Sequence, residues 1–169
     1  MALFRETADV SVRPAVPGDE APMTRVQVTA WRDTHEVALG DGVIDALDTD
    51  AMQARWAQAI TSPPGPGFAV LVALDGPDVV GFAAVAPGQL LALEVHPDHQ
   101  RGGHGSRLLA AAVDRLRTDG AEQVVTWIMD DDTARERFFS SAGLGPDGTE
   151  RILATGVRDV VEHRWSAAV

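Results

Sequence analysis

Val95-His96-Pro97-Asp98-His99-Gln100-Arg101-Gly102-Gly103-His104-Gly105-Ser106 is the stretch on which the fold of this chain turns. An apolar, strand-like run from Leu90 to Val95 enters it, and a helix-like run from Ser106 to Arg117 leaves it. Strand, glycine loop and helix N-terminus in that order make an anion site. Glycine turns the backbone with positive φ and lets a ligand approach closely. The first amides of a helix have no partner within it, and the helix dipole favours negative charge there. Phosphate is the usual occupant of such a place. Gln100 to Ser106 are therefore expected to bind a phosphorylated cofactor. The helix that follows repeats Leu108, Leu109, Ala112, Val113 and Leu116 at spacings of three and four, as a half-buried helix requires.

Two familiar phosphate loops are excluded. The P-loop ends in Lys followed by Ser or Thr, and this chain contains no Lys. The Rossmann fingerprint needs G-x-G-x-x-G in the first βα turn, whereas here the glycines are Gly102, Gly103 and Gly105, past mid-chain. What remains, Gln100-x-x-Gly103-x-Gly105, resembles the Q/R-x-x-G-x-G/A motif of the GNAT acyl-coenzyme A N-acyltransferases. Leu93-x-Val95-x-Pro97 is similar to the fourth strand of that family. The resemblance implies acetyl-coenzyme A as co-substrate, with no metal. It implies cofactor contacts at Leu93, Val95, Gln100, Arg101, Gly102, Gly103, His104, Gly105 and Ser106, the loop taking the pyrophosphate. A plain strand-to-helix turn is the competing reading. Pro97, Gln100, both glycines and the amphipathic helix together weigh against it.

Composition sets the outer bounds. At 169 residues, 45% of them apolar, the chain is long enough for one domain with its own core. No run approaches the roughly 18 consecutive apolar residues of a membrane span, and no basic-then-apolar leader is evident. Cys is absent, which removes disulfides and thiolate chemistry, and the cytoplasm is the default compartment. A net charge of −11 argues against nucleic acid or an acidic membrane as partner, since either needs a basic face. It suits a cationic or amine acceptor only weakly. The missing Lys, Asn, Tyr and Cys, beside abundant Arg and Ala, fit a GC-rich coding bias. The partner expected is a small-molecule or peptide amine, the chain acting as a monomer or homodimer.

Elsewhere the pattern reads as strands and helices in alternating groups. Val10 to Pro14 alternates as a first strand. Asp19 is a candidate N-cap for a helix running to about Trp31 or His35. A second helical region covers Val43 to Ile60, interrupted near Leu47 to Asp50. Phe68 to Leu74 and Val79 to Ala86 make a hairpin around Asp75-Gly76, and Leu90 to Val95 follows. After the long helix, Gln123 to Met129 is a fifth strand. A last helix starts at Asp130 to Thr133 and reaches Ala142. Thr149 to Ala154 and Val157 to Trp165 read as closing strands. The order βααβββαβαββ is that of an α+β, or mixed α/β, domain. The GNAT resemblance covers this whole order, and implies a single acetyltransferase domain over residues 1–169. Its sheet would be central, mixed and mostly antiparallel, flanked by helices.

A second segment carries the resemblance with departures. The family often shows N-x-x-A-x-x-F-Y-x-x-x-G-F after its fifth strand. Here stand Asp132, Arg135, Phe138, Phe139, Gly143 and Leu144. In the family the Asn holds the pantetheine arm and the Tyr protonates the departing thiolate, so Asp132, Phe138 and Phe139 become candidate cofactor contacts. Asp132 accepts hydrogen bonds but, ionised, donates none, and Phe139 has no proton to give. Core packing is the competing reading for both phenylalanines, and a helix N-cap for Asp132.

Acyl transfer to an amine asks for three things. The amine must lose its proton to a base, the thioester oxygen needs a donor as it gains charge, and the thiolate needs a proton. The resemblance assigns the second to the Val95 amide. Glu94 is the leading base candidate. It alternates against Leu93 and Val95 and so faces the other side of the strand. A carboxylate in an apolar strand is costly unless used or paired, so a structural ion pair is the bland alternative. His96 and His35 are lesser bases. Trp31, Arg32 and His35, ending the first helix, fall where the family builds one wall of its acceptor pocket. No His and carboxylate spacing suggests a metal site. The function expected is N-acetyl transfer from acetyl-coenzyme A to a primary amine. A non-catalytic coenzyme A-binding sensor is the alternative, and another nucleotide-binding fold the third.

Overall fold

The computed structural model describes residues 10–169. Along the chain run β1 (Val10–Pro14), α1 (Glu20–Leu39), α2 (Thr49–Thr61), β2 (Ala69–Asp75), β3 (Asp78–Ala86) and β4 (Gln89–Val95). A 3-10 turn (Pro97–His99) leads to α3 (His104–Thr118), β5 (Gln123–Met129), α4 (Thr133–Ser141), β6 (Gly145–Ala154) and β7 (Asp159–Ala168). The order is the one read from the sequence. The strands form one sheet, β1-β2-β3-β4-β5-β7-β6, antiparallel except between β4 and β5.

Boundaries differ where a local signal was overridden. α1 passes His35 and ends only at Gly40, whose φ of 103° no other residue type adopts readily. Residues 41–46 are turns rather than helix, and pack Ile44 under Leu39 and Val160. α2 waits for Asp48, whose side chain accepts from the Ala51 amide as a true N-cap. Asp19 does occupy the N-cap of α1, but its carboxylate turns back to Arg13 at 2.6 Å and to the Val16 amide at 2.8 Å. α3 begins at His104, earlier than Ser106.

Each face of the sheet carries a different helix set, because strand side chains alternate. Leu71 and Ala73 of β2, Ala83 and Val85 of β3, and Leu93 of β4 pack against Leu108, Leu109, Ala112 and Leu116 of α3. Val72 and Phe82 point the other way, onto Met23 and Val26 of α1, with Trp56 and Ile60 of α2 alongside. A strand buried on both faces reads as one apolar run, as β3 does. Leu108 and Leu116 have no exposed surface, so truncating either to Ala should cost about 2–5 kcal/mol.

The sheet's one parallel joint is where it opens. β4 and β5 share a single register pair, Gln89 with Val125. One step on, the Thr126 hydroxyl rather than an amide donates to the Leu90 carbonyl, at 3.1 Å. Beyond that the strands part. The His96 amide still donates to Val80 of β3 at 2.8 Å. Antiparallel alternation then commits Glu94 to β3 and turns the backbone groups of Leu93 and Val95 toward the gap.

Candidate active site

Two side chains take up the carbonyls left in that gap. The Leu93 carbonyl accepts from Arg135 Nη1 at 3.0 Å, and the Val95 carbonyl accepts from Gln100 Nε2 at 3.3 Å. Their amide N–H groups, on the same open edge, are left for a ligand.

The glycine loop closes the end of the gap. Gly103 is the N-cap of α3 and sits at φ 84°, ψ 2°, a left-handed conformation. Arg101, with a Cβ, is held at φ 65°, which costs on the order of 1 kcal/mol or more. Arg107 braces the loop by donating to the Gly102 carbonyl at 3.2 Å. A Cβ on Gly105 would lie 3.5 Å from the Phe138 ring, an ordinary contact, so α3 and α4 meet closely at this point. The first amides of α3 thus face the gap with the dipole behind them.

The gap is a cavity of about 370 Å³. Leu93, Glu94 and Val95 form its floor, Gln100, Arg101, Gly103, Gly105 and Ser106 one end, and Asp132 and Phe138 the α4 side. Gly102 and His104 are not on its wall. His104 lies buried beneath the loop, 5% exposed. Phe139 is also off the wall. Its ring is 1% exposed, in the core with Leu108 and Ile128, and it meets Phe138 edge to face at 5.1 Å. The helical turn of α4 can aim only one of two adjacent rings at the gap, and it aims Phe138.

Glu94 lines the floor of the cavity. It is 7% exposed. Trp31 Nε1 donates to its Oε1 at 3.1 Å, and Arg135 Nη2 donates to its Oε2 at 3.0 Å. Arg135 Nε lies 3.5 Å from Asp132 Oδ2, while Asp132 Oδ1 caps α4 by accepting from the Arg135 amide at 3.1 Å. Asp132 therefore caps a helix and lines the cavity at once. His35 Nδ1 is 3.8 Å from Asp132 Oδ2, too far for a hydrogen bond. Burial first, then the charge of Arg135, lowers the His35 pKa against the opposing pull of Glu94 and Asp132. A neutral imidazole, two carboxylates and one guanidinium leave this corner with a net negative charge at neutral pH.

Trp31, Arg32 and His35 separate on inspection. Trp31 lines a second cavity, about 470 Å³, with Gln27, Leu47, Asp48, Met52 and Trp56. It walls that cavity while touching Glu94, so the two cavities meet at one hydrogen bond. His35 is buried behind Asp132 and lines neither. Arg32 points outward, to Asp45 at 2.9 Å and Glu36 at 3.4 Å, and is an exposed surface pair rather than an acceptor wall. His96 is occupied locally, its Nδ1 accepting from the Asp98 amide at 3.2 Å.

Sequence reading missed Arg135. It noted the residue only as a departure from the family's Ala. That departure was the signal: an Arg where a small residue is usual, one helical turn past an acidic cap, must place its charge near something.

A family model described as Acetyltransferase (GNAT) family matches residues 28–144. A curated relative, "Uncharacterized N-acetyltransferase YuaI" of Bacillus subtilis (strain 168), is 26% identical over 131 residues, 72% of each chain. Among solved structures, the PaiA N-acetyltransferase of Thermoplasma acidophilum, in complex with coenzyme A, superposes with a TM-score of 0.80 at 15% identity, over 95% of this chain and 99% of that one. YncA of Salmonella typhimurium, a putative acetyltransferase with acetyl-CoA, gives 0.73 at 23% identity, over 95% and 94%. The chain belongs to the GNAT acetyltransferase family, a class that uses acetyl-coenzyme A as acyl donor. Among the described residues, no helix is long and apolar enough to cross a membrane.

Proposed function

We propose that this protein is a cytoplasmic N-acetyltransferase that moves an acetyl group directly from acetyl-coenzyme A to a primary amine of a small molecule or peptide. The observation that carries the reading is the gap between β4 and β5, with open backbone donors on its floor and a glycine-capped helix N-terminus at its end. Gln100, Arg101, Gly103, Gly105 and Ser106, which line the end of the gap, would take the pyrophosphate. Leu93 to Val95, Asp132 and Phe138, which line the rest of the gap, would hold the pantetheine arm. This leaves the thioester carbonyl within reach of the Val95 amide, which would stabilise its developing charge.

The acceptor enters from the cavity walled by Trp31 and Trp56. It meets the corner where Glu94 and Asp132 outnumber Arg135 in charge. An ammonium is attracted there and must lose a proton before it attacks. Glu94 is the group we assign to accept it, directly or through water. Each of its oxygens accepts one protein hydrogen bond and keeps a further acceptor site. The amine nitrogen then forms a bond to the acetyl carbon, the carbon–sulfur bond breaks, and the thiolate leaves. No Tyr exists in this chain to protonate it. A thiol pKa near that of Cys, about 8.5, makes it a fair leaving group, which water can protonate.

The test is release of free coenzyme A thiol from acetyl-coenzyme A, measured with polyamines, amino acids, aminoglycosides and peptide N-termini as acceptors. Amine-dependent release is expected with at least one. Coenzyme A binding without amine-dependent release from any of them would sink the catalytic reading.

A further inference from the structure

We propose that Asp75, His99 and His104 bind a single divalent metal ion of the zinc type, and that this ion clamps the two ends of the glycine loop. The three side chains come from three elements. Asp75 ends β2, His99 ends the 3-10 turn and His104 is the first residue of α3. One ligand-capable atom from each lies within 4.8 Å of the others, and among the described residues no other three such groups converge this way. His104 is 5% exposed, and its Nδ1 is buried with no hydrogen-bond partner among the described residues. A buried polar nitrogen left unpaired costs about 1–3 kcal/mol, and a metal bond or a proton-donating partner is what removes such a cost.

The spacing suits coordination. Tetrahedral zinc with bonds of about 2.0–2.1 Å sets its ligand atoms roughly 3.3 Å apart. His99 Nδ1 and Asp75 Oδ2 are already 3.3 Å apart. The third ligand needs only a short approach, and Asp75 and His99 are partly exposed and free to make it. Two imidazoles and a carboxylate select zinc, nickel, cobalt or copper over calcium or magnesium, which take oxygen ligands. Three protein ligands leave the fourth position to water.

The consequence lies in where the ligands sit. Gln100, Arg101 and Gly103, three of the residues proposed for the pyrophosphate, lie in the segment between His99 and His104. Gly102 drapes over the His104 ring: a Cβ there would stand 3.3 Å from its Cδ2. Fixing both ends of the loop reduces its freedom, so metal and coenzyme should alter each other's affinity by the same factor. This coupling rests on the proposed cofactor site. Zinc binding does not.

The experiment is therefore made in two parts. Chelator-treated protein without coenzyme is titrated with zinc chloride by calorimetry. One ion per chain at micromolar affinity or tighter is expected, weakened about tenfold or more in Asp75→Asn and in His99→Gln. Asp130→Asn is the control for adventitious binding, because Asp130 and Glu150 flank His163 at 2.9 and 3.4 Å. No stoichiometric binding, equal affinity in Asp75→Asn, or loss in Asp130→Asn alone overturns the site. In the second part coenzyme A is titrated with and without zinc. A change of severalfold in the natural protein, absent in Asp75→Asn, is expected, and equal affinities overturn the clamp while leaving the site standing.

Discussion

The two ends of the gap are built by different means. The loop end is backbone: a left-handed Gly103, a strained Arg101 and the first amides of α3. The acceptor end is side chain: Trp31, Glu94, Arg135, Asp132 and His35, brought from α1, β4 and α4. A backbone site depends on glycine positions and element order, which lie in one short stretch. A side-chain network depends on which distant residues meet. The first should fail sharply at one residue, and the second should fail in parts.

The largest effect is expected at the loop. Gly103→Val puts a β-branched residue at φ 84°, which costs about 1–3 kcal/mol in strain. Its Cβ would also lie 3.0 Å from Arg107 Nη1, disturbing the brace on Gly102. Coenzyme A affinity should fall by about 100-fold or more, equivalent to ~2.7 kcal/mol, with a lower melting temperature. Isothermal titration beside a thermal melt checks both. Unchanged affinity would move the pyrophosphate elsewhere.

At the acceptor end Glu94→Gln keeps an oxygen for Arg135 and leaves Asp132 to balance that charge. Turnover should drop by ~10²-fold while coenzyme A affinity stays within a few fold. Arg135→Ala works differently. It strands a buried carboxylate, and should lower stability by about 3 kcal/mol. Steady-state rates, ligand titration and denaturant melts on the two variants separate a base from a structural pair. If Glu94→Gln lost stability as Arg135→Ala does and kept its rate, Glu94 would be structural.

The same contrast explains what the sequence could tell. Gln100-x-x-Gly103-x-Gly105 carried the loop and the family, and apolar patterning carried the element order, because each rests on local spacing. Trp31 and Glu94 were both marked, yet nothing in the sequence joined them across 63 positions. Arg135 passed as a mere departure from motif because its partners are in β4. Arg32 was misplaced because it stands about 100° around α1 from Trp31, which turns it out to Asp45. As a cluster Asp75, His99 and His104 escaped, His104 being read only as a cofactor contact: two are near neighbours in sequence, and Asp75 comes from β2.

Phe139→Tyr sharpens the motif side of the comparison. The resemblance puts at this position a tyrosine that protonates the departing thiolate. The ring lies instead in the core, 1% exposed, with Phe138 between it and the gap. Burying an unpartnered hydroxyl costs about 1–3 kcal/mol. The variant should melt lower and turn over no faster. A higher rate with an intact melting temperature would show that this hydroxyl does reach the thiolate.

The smallest effect belongs to His35 and is confined to a range of pH. Its folded pKa lies below the ordinary 6.5, through burial first and then the charge of Arg135. The unfolded chain therefore takes up a proton at His35 at a pH where the folded chain still refuses it. Stability rises with pH wherever the unfolded state binds more protons. The contribution of His35 is then complete above about pH 6.5 and is lost as pH falls from there through the lower folded value. His35→Gln removes this dependence without removing a polar side chain. Urea melts between pH 5 and 8 should show the natural protein losing stability on the acid side and the variant losing less. Parallel curves would mean that His35 titrates alike in both states, and that the charge of Arg135 is spent on Glu94 and Asp132 alone.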